Sequence, residues 1–243
     1  MLPNLVPIGR HDLIQLIHTY DCLVAILARV TQDRAAATRR RLLDAAVASL
    51  RTHGAAGLTS REIARTAGVN LQAITYHFGS KDELVAQALT GLVQDRIAPI
   101  RAALDADGDP AERLFAALRT IGGAFAVARE DLAAYASAVV ASSSNSTLAT
   151  ALGELHSELV DYLATLMAQM QTDGYIQSWV RPRAMAELLV SIGDGIAMHA
   201  HYGQPDVDGV LDQVALLLLA ARDQKSKVWP AAARALLKQM RKG

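Results

Sequence analysis

Apolar residues in this chain of 243 recur at steps of three and four along most of its length. That spacing lines them up on one side of an α-helix. The first stripe is Leu13, Leu16, Ile17, Tyr20, Leu23, Val24, Leu27 and Val30. A second, Leu42, Leu43, Ala46, Val47 and Leu50, predicts a helix over 38–53 that stops at Gly54. A third begins after Ser80, with Leu84, Ala88 and Leu92 in one row and Val85, Leu89 and Val93 in the next. Pro99 predicts a kink or an end to that helix. Downstream, the pattern predicts helices near 110–128, 130–142, 147–173, 182–202, 206–223 and 230–241, with Pro182, Pro205 and Pro230 at starts or breaks. Asp109 is a cap and Pro110 a first helical residue. No run of alternating β-branched residues predicts a strand, and the chain is rich in Ala and Leu, both strong helix formers. The fold class is therefore all-α.

Between the second and third stripes the elements are short and tightly punctuated. From Leu58 to Lys81 the chain reads LTSREIARTAGVNLQAITYHFGSK. Thr59 precedes Glu62 by three, and Ser80 precedes Glu83 by three, the capping-box spacing in both cases. Ile63, Ala64 and Ala67 form the inner side of one short helix, and Gly68 ends it in a left-handed turn. Val69 plugs the corner and Asn70 caps a second short helix. In that helix Ile74 and Phe78 face inward, while Gln72, Ala73, Tyr76 and His77 face out. Two short helices around a glycine turn make a helix-turn-helix, whose second helix is able to enter the major groove of DNA.

Charge sharpens this reading. Between Thr38 and Lys81 there are seven basic residues, Arg39, Arg40, Arg41, Arg51, Arg61, Arg65 and Lys81, against two acidic ones, Asp44 and Glu62. The whole chain is neutral, so this surplus of five positive charges is balanced elsewhere. A local basic patch is the footprint expected of phosphate binding. Arg39, Arg40 and Arg41 fall at the start of the predicted 38–53 helix, where they oppose its dipole and invite an external anion.

Residues 38–85 resemble the DNA-binding domain of the TetR family of transcriptional regulators. The resemblance rests on the LLDAA helix, the LTSREIA entry, the AGVN turn and YHFGSKDEL. It implies an all-α homodimer with an N-terminal three-helix reader (36–96, motif 59–78) and a larger helical effector-binding and dimerisation domain (97–243). Residues 1–35 are an extension that such a reader does not need. They are either an extra helix, packed on the body or across the dimer, or the product of a start codon assigned too far upstream.

By the resemblance, Ser60 donates to a phosphate and Arg61 reaches a phosphate or a guanine edge. Leu71, Gln72 and Ala73 meet the bases, Gln72 by a bidentate contact with adenine and its neighbours through a thymine methyl. Tyr76 lies on bases or sugar, and Arg39, Thr75, His77 and Lys81 hold the backbone. The helices near 182–202 and 206–223 carry apolar faces wider than one core needs, which agrees with the family's dimer interface. Gly193 and Gly195 would allow close approach there. A small-molecule pocket is expected among the middle helices, with Phe115, Phe125, Tyr135, His156, Met167, Met170 and Trp179 as candidate lining.

Several classes fall away. The single cysteine, Cys22, forms no disulfide within the chain and fits a reducing compartment. No apolar stretch reaches the roughly eighteen residues that span a bilayer, and no secretory leader precedes the first helix, so a cytoplasmic protein without membrane contact is expected. His11, His18 and Asp21, like His156, His199 and His201, lack the spacing of a metal site. No serine elbow, glycine-rich phosphate loop or paired carboxylates argue for an enzyme or a cofactor. The expected function is a ligand-responsive repressor bound to a palindromic operator in double-stranded DNA. An activator or effector-independent DNA binder is the alternative, and a helical enzyme the third.

Overall fold

The computed structural model describes residues 10–127, 129–203 and 206–221. The expected helix near 230–241 lies outside the described residues. Among them there are nine α-helices: α1 (Arg10–His53), α2 (Ser60–Ala67), α3 (Gln72–Phe78), α4 (Lys81–Leu104), α5 (Pro110–Val127), α6 (Arg129–Ser142), α7 (Ser146–Thr172), α8 (Pro182–Tyr202) and α9 (Val207–Ala220).

The start of the chain differs from expectation. The extension and the 38–53 helix are one continuous helix, α1. The segment joining the two stripes, TQDRAAATRRR, holds neither glycine nor proline and is rich in Ala and Arg, so nothing breaks the helix. Arg39, Arg40 and Arg41 are therefore interior to α1, far from its first turn, and the dipole argument for an anion beside them fails. From Ala28 to Arg41 the side chains are exposed or half-exposed, and Leu42 is the first buried one after them.

The local signals around the short helices held. Thr59 Oγ1 accepts from the Glu62 N–H at 3.3 Å, and Ser80 Oγ from the Glu83 N–H at 3.0 Å. Each such cap contributes about 1 kcal/mol. Gly68 sits at φ 63, ψ 40, the left-handed region, and its N–H reaches the Ala64 and Arg65 carbonyls. Asn70 Oδ1 accepts from the Gln72 N–H at 2.9 Å. Pro99, in contrast, does not end α4, which continues to Leu104. The proline only deprives the Asp95 carbonyl of its helical donor. Asp109 caps α5 through the Glu112 N–H at 3.2 Å, and Asp206 caps α9 through the Gly209 N–H at 2.9 Å.

Two apolar clusters hold the molecule. One joins α1 to α4 through Leu42, Leu50, Ile63, Ile74, Phe78, Leu84 and Leu89, and extends onto Ala134 and Ala138 of α6 and Leu148 of α7. The other gathers Leu104, Leu114, Met167, Met170, Val214 and Leu218 from α4, α5, α7 and α9. The α1–α2 turn meets α6 at Gly54, where φ is 66 and a Cβ would stand 3.1 Å from Ser137 Cβ. The Ala55 N–H donates to Ser137 Oγ at 3.0 Å in the same place.

Candidate functional site

α3 presents one filled and one empty side. Ile74 and Phe78 are buried at 2% and 7% exposure. Tyr76 is 82% exposed and Leu71 44%, and Gln72 and Thr75 are exposed beside them. Ala73 is half-buried and packs on the reader core. His77 is also half-buried, its ring set edge-on to Tyr76 at 4.8 Å and to Phe78 at 6.4 Å. It thus braces the exposed tyrosine from behind.

The cations around α3 divide into two groups. Arg39 is engaged: it donates to Gln87 Oε1 at 2.5 Å and lies 5.0 Å over the Phe78 ring. Lys81 donates to the Leu58 carbonyl at 3.3 Å and stands 3.4 Å from Asp82. Arg40, Arg61 and Arg65 are exposed, with no ion pair among the described residues. Arg61 and Arg65 are one turn apart on α2, so they share a face. Arg65 was given no role in the sequence, and Arg40 was read only together with Arg39 and Arg41, through the helix-start argument that fails. The signal for them was present in the count of basic residues but not in any motif. Ser60 is half-buried at the first turn of α2.

A second feature lies deeper. A cavity of about 270 Å³ is lined by α4 to α9. Its wall is mostly aliphatic, including Leu92, Ile100, Leu159, Leu163, Leu189 and Ile196. Of the pocket candidates, Tyr135 and His156 do line it. Met167 and Met170 do not; at 0% and 1% exposure they are packed into the second core. Trp179 does not either, and is 67% exposed in the loop before α8. The side chains of Phe115 and Phe125 lie outside the described residues.

The polar groups of the wall form a short chain. Asp131 of α6, 6% exposed, takes Arg51 of α1 at 2.5 Å and pairs with Arg96 of α4. The hydrogen bond to Asp131 raises the Arg51 pKa from its usual value. One turn along α6, Tyr135 Oη donates to Asp194 Oδ1 of α8 at 2.8 Å. Burial, then the Asp194 charge, pushes the Tyr135 hydroxyl up from its ordinary value. Arg96, Asp131, Tyr135 and Asp194 all line the cavity, and Arg51 connects them to the reader. Asp131 and Asp194 were missed in the sequence. Asp194 had a signal: it is a lone carboxylate in the apolar run LLVSIGDGIA.

Comparison with known proteins fits this geometry. Residues 42–88 match the family model described as "Bacterial regulatory proteins, tetR family". The HTH-type transcriptional regulator BetI of Brucella anthropi is 30% identical over 135 residues, which cover 54% of this chain and 70% of the relative. The chain belongs to the TetR family. It is a DNA-binding transcriptional regulator of that family, not an enzyme. Among solved TetR-like folds, a putative TetR-family transcriptional regulator from Rhodococcus sp. superposes with TM-score 0.63 at 17% identity, covering 76% of this chain and 98% of the other. A transcriptional regulator from Rhodococcus sp. Rha1 gives 0.62 at 25% identity, with 77% and 99% covered. Among the described residues no helix is long and apolar enough to cross a membrane.

Proposed function

We propose that this TetR-family protein is a cytoplasmic, ligand-responsive repressor that holds a palindromic operator as a homodimer, with one α3 helix in each half-site. The observation that carries the reading is the two-sidedness of α3. Ile74 and Phe78 fix it to the reader, and Leu71, Gln72, Thr75 and Tyr76 are left for the major groove. Gln72 and Leu71 read bases; Ser60, Thr75 and His77 hold the sugar–phosphate backbone. Arg61 with Arg65 and Arg40 supplies phosphate contacts without first breaking an ion pair. Arg39 and Lys81 act on DNA mainly by holding α3 and the turn before α2 in position, with charge to spare for a phosphate.

The reader is residues 36–96 and the remainder, 97–243, binds effector and partner. Leu188 of α8 and Leu216 and Leu217 of α9 are exposed at 47%, 36% and 57%, which supports a dimer through these helices. A Cβ at Gly195 would meet nothing within 4 Å, so a partner's helix has room there, whereas the open space at Gly193 is the cavity it lines. In such a dimer the two α3 helices must match major grooves about 34–36 Å apart. The cavity supports the effector role. A ligand that moves Arg96 or Asp131 acts on Arg51 directly, because one carboxylate serves both arginines. The bound form then favours a spacing that no longer fits the operator.

The test is selection of DNA from a random pool by the purified protein. A two-fold symmetric site with half-sites about one helical turn apart is expected. Failure to retain duplex DNA at low ionic strength overturns the reading.

A further inference from the structure

Among the described residues, the cavity wall has one charge without a counter-charge. Arg96 pairs with Asp131, Arg101 lies 2.8 Å from Glu158, and His156 lies 3.1 Å from Glu187. Asp194 alone, among the described residues, has no cation against it; its partner is the neutral hydroxyl of Tyr135, donating at 2.8 Å. It stands on α8 with Ile192 and Ile196 lining the same wall, and Gly193 beside it brings no side chain to screen it.

Asp194 is half-buried at this wall, and its two carboxylate oxygens offer more acceptor sites than one hydroxyl fills. One hydroxyl is a single donor. An ammonium would bring both the missing charge and up to three further donors. The rest of the wall offers its ligand aliphatic surface, and a volume of about 270 Å³ is close to the lower end of small-molecule pockets, about 300 Å³. We propose that the effector is a small aliphatic amine whose ammonium group pairs with Asp194 while its hydrocarbon part fills the cavity between α4, α7 and α8. The inference rests on the reading of this cavity as the effector site, and adds the chemical class of what enters it.

Three probes with one hydrocarbon chain separate the possibilities: octylamine, 1-octanol and octanoate, each titrated calorimetrically into the full-length protein near neutral pH. The amine is then an ammonium. Octylamine is expected to bind on the order of tenfold tighter than 1-octanol, the size of effect a close charge pair produces, and octanoate most weakly. In Asp194→Asn the amine should fall to the affinity of 1-octanol, while 1-octanol itself is unchanged and so certifies the fold. Tyr135→Phe keeps the carboxylate and should keep the amine preference. Octanoate binding as well as octylamine, a preference that survives Asp194→Asn or vanishes in Tyr135→Phe, or no binding by any probe, overturns the proposal. None of these titrations contains DNA. A protein that selects a palindrome but ignores amines loses this inference and keeps the DNA-binding reading, and the reverse result does the opposite.

Discussion

The reader and the effector half are built from the same residue types but use them in opposite ways. In the reader, the short α2 and α3 close with α1 and α4 on a filled core: Leu42, Leu50, Ile63, Leu84 and Leu89 are all at 1% exposure or below. Its polar chemistry is outside, on Gln72, Thr75, Tyr76 and the arginines. In the effector half, the helices leave a cavity, and the polar chemistry lines it, on Asp131, Tyr135 and Asp194. A surface that must present one fixed shape to a duplex needs a rigid support. A half that must respond to a ligand needs unfilled space and groups that can exchange partners. Asp131 is where the two designs meet.

The sharpest break of that contrast is a matched pair of truncations. Ile63→Ala empties a fully buried site in the reader and should cost about 2–5 kcal/mol, read by urea unfolding. Leu159→Ala widens a space that already exists and should cost less than about 2 kcal/mol. Equal costs would mean that the cavity collapses in solution. Next in size is Asp131→Ala, which leaves Arg51 and Arg96 without their carboxylate. Removing one partner of a buried pair costs about 3–5 kcal/mol. Here the arginines are 35% and 43% exposed, so water takes up part of the loss, and about 1–3 kcal/mol is expected. The variant should also bind DNA without releasing it to ligand. If release persists, the joint is structural only.

On the reader's outer side, Gln72→Ala should cost about 1–3 kcal/mol at one base pair and relax preference there. Arg65→Ala should instead weaken binding to all sequences alike and lower the slope of log affinity against log salt by about one. Exchange of these two signatures in a salt titration would reverse the assigned roles.

The reader was the more legible half because its signals are local. Thr59, Gly68, Asn70 and Ser80 each act within four residues of themselves, and all four took up the predicted conformations. The family resemblance covered the same stretch. What the sequence hid was set by distance along the chain. The Arg51–Asp131 pair spans 80 residues and Tyr135–Asp194 spans 59, and no periodicity encodes such pairings. Met167 and Trp179 show the same limit: either could line a pocket or not, and only the packing of α7 and the loop before α8 decided it. The continuity of α1 is a different case. A stripe of apolar residues that pauses between Val30 and Leu42 suggests two helices, yet helix formers without a breaker carry the backbone through.

The smallest effect concerns alkaline pH and falls on the effector half alone. Tyr162 lines the cavity and donates to Asp105 Oδ1 at 2.7 Å. Burial first, and that hydrogen bond second, push its hydroxyl up to about 12. Tyr135 moves the same way, chiefly through burial. In the unfolded chain both ionise near pH 10. Above that value the unfolded state holds fewer protons than the folded one, so stability must fall as pH rises. Below it, both states keep the protons and the contribution is complete. Unfolding measured at pH 9 and pH 11 should therefore show a loss that shrinks in Tyr162→Phe, which has no proton to release. The comparison cancels every other group that titrates in this range, since those are common to both proteins. A loss of equal size in the two would assign the alkaline sensitivity to groups outside the cavity, and the contrast between a polar interior here and a polar exterior in the reader would lose one of its supports.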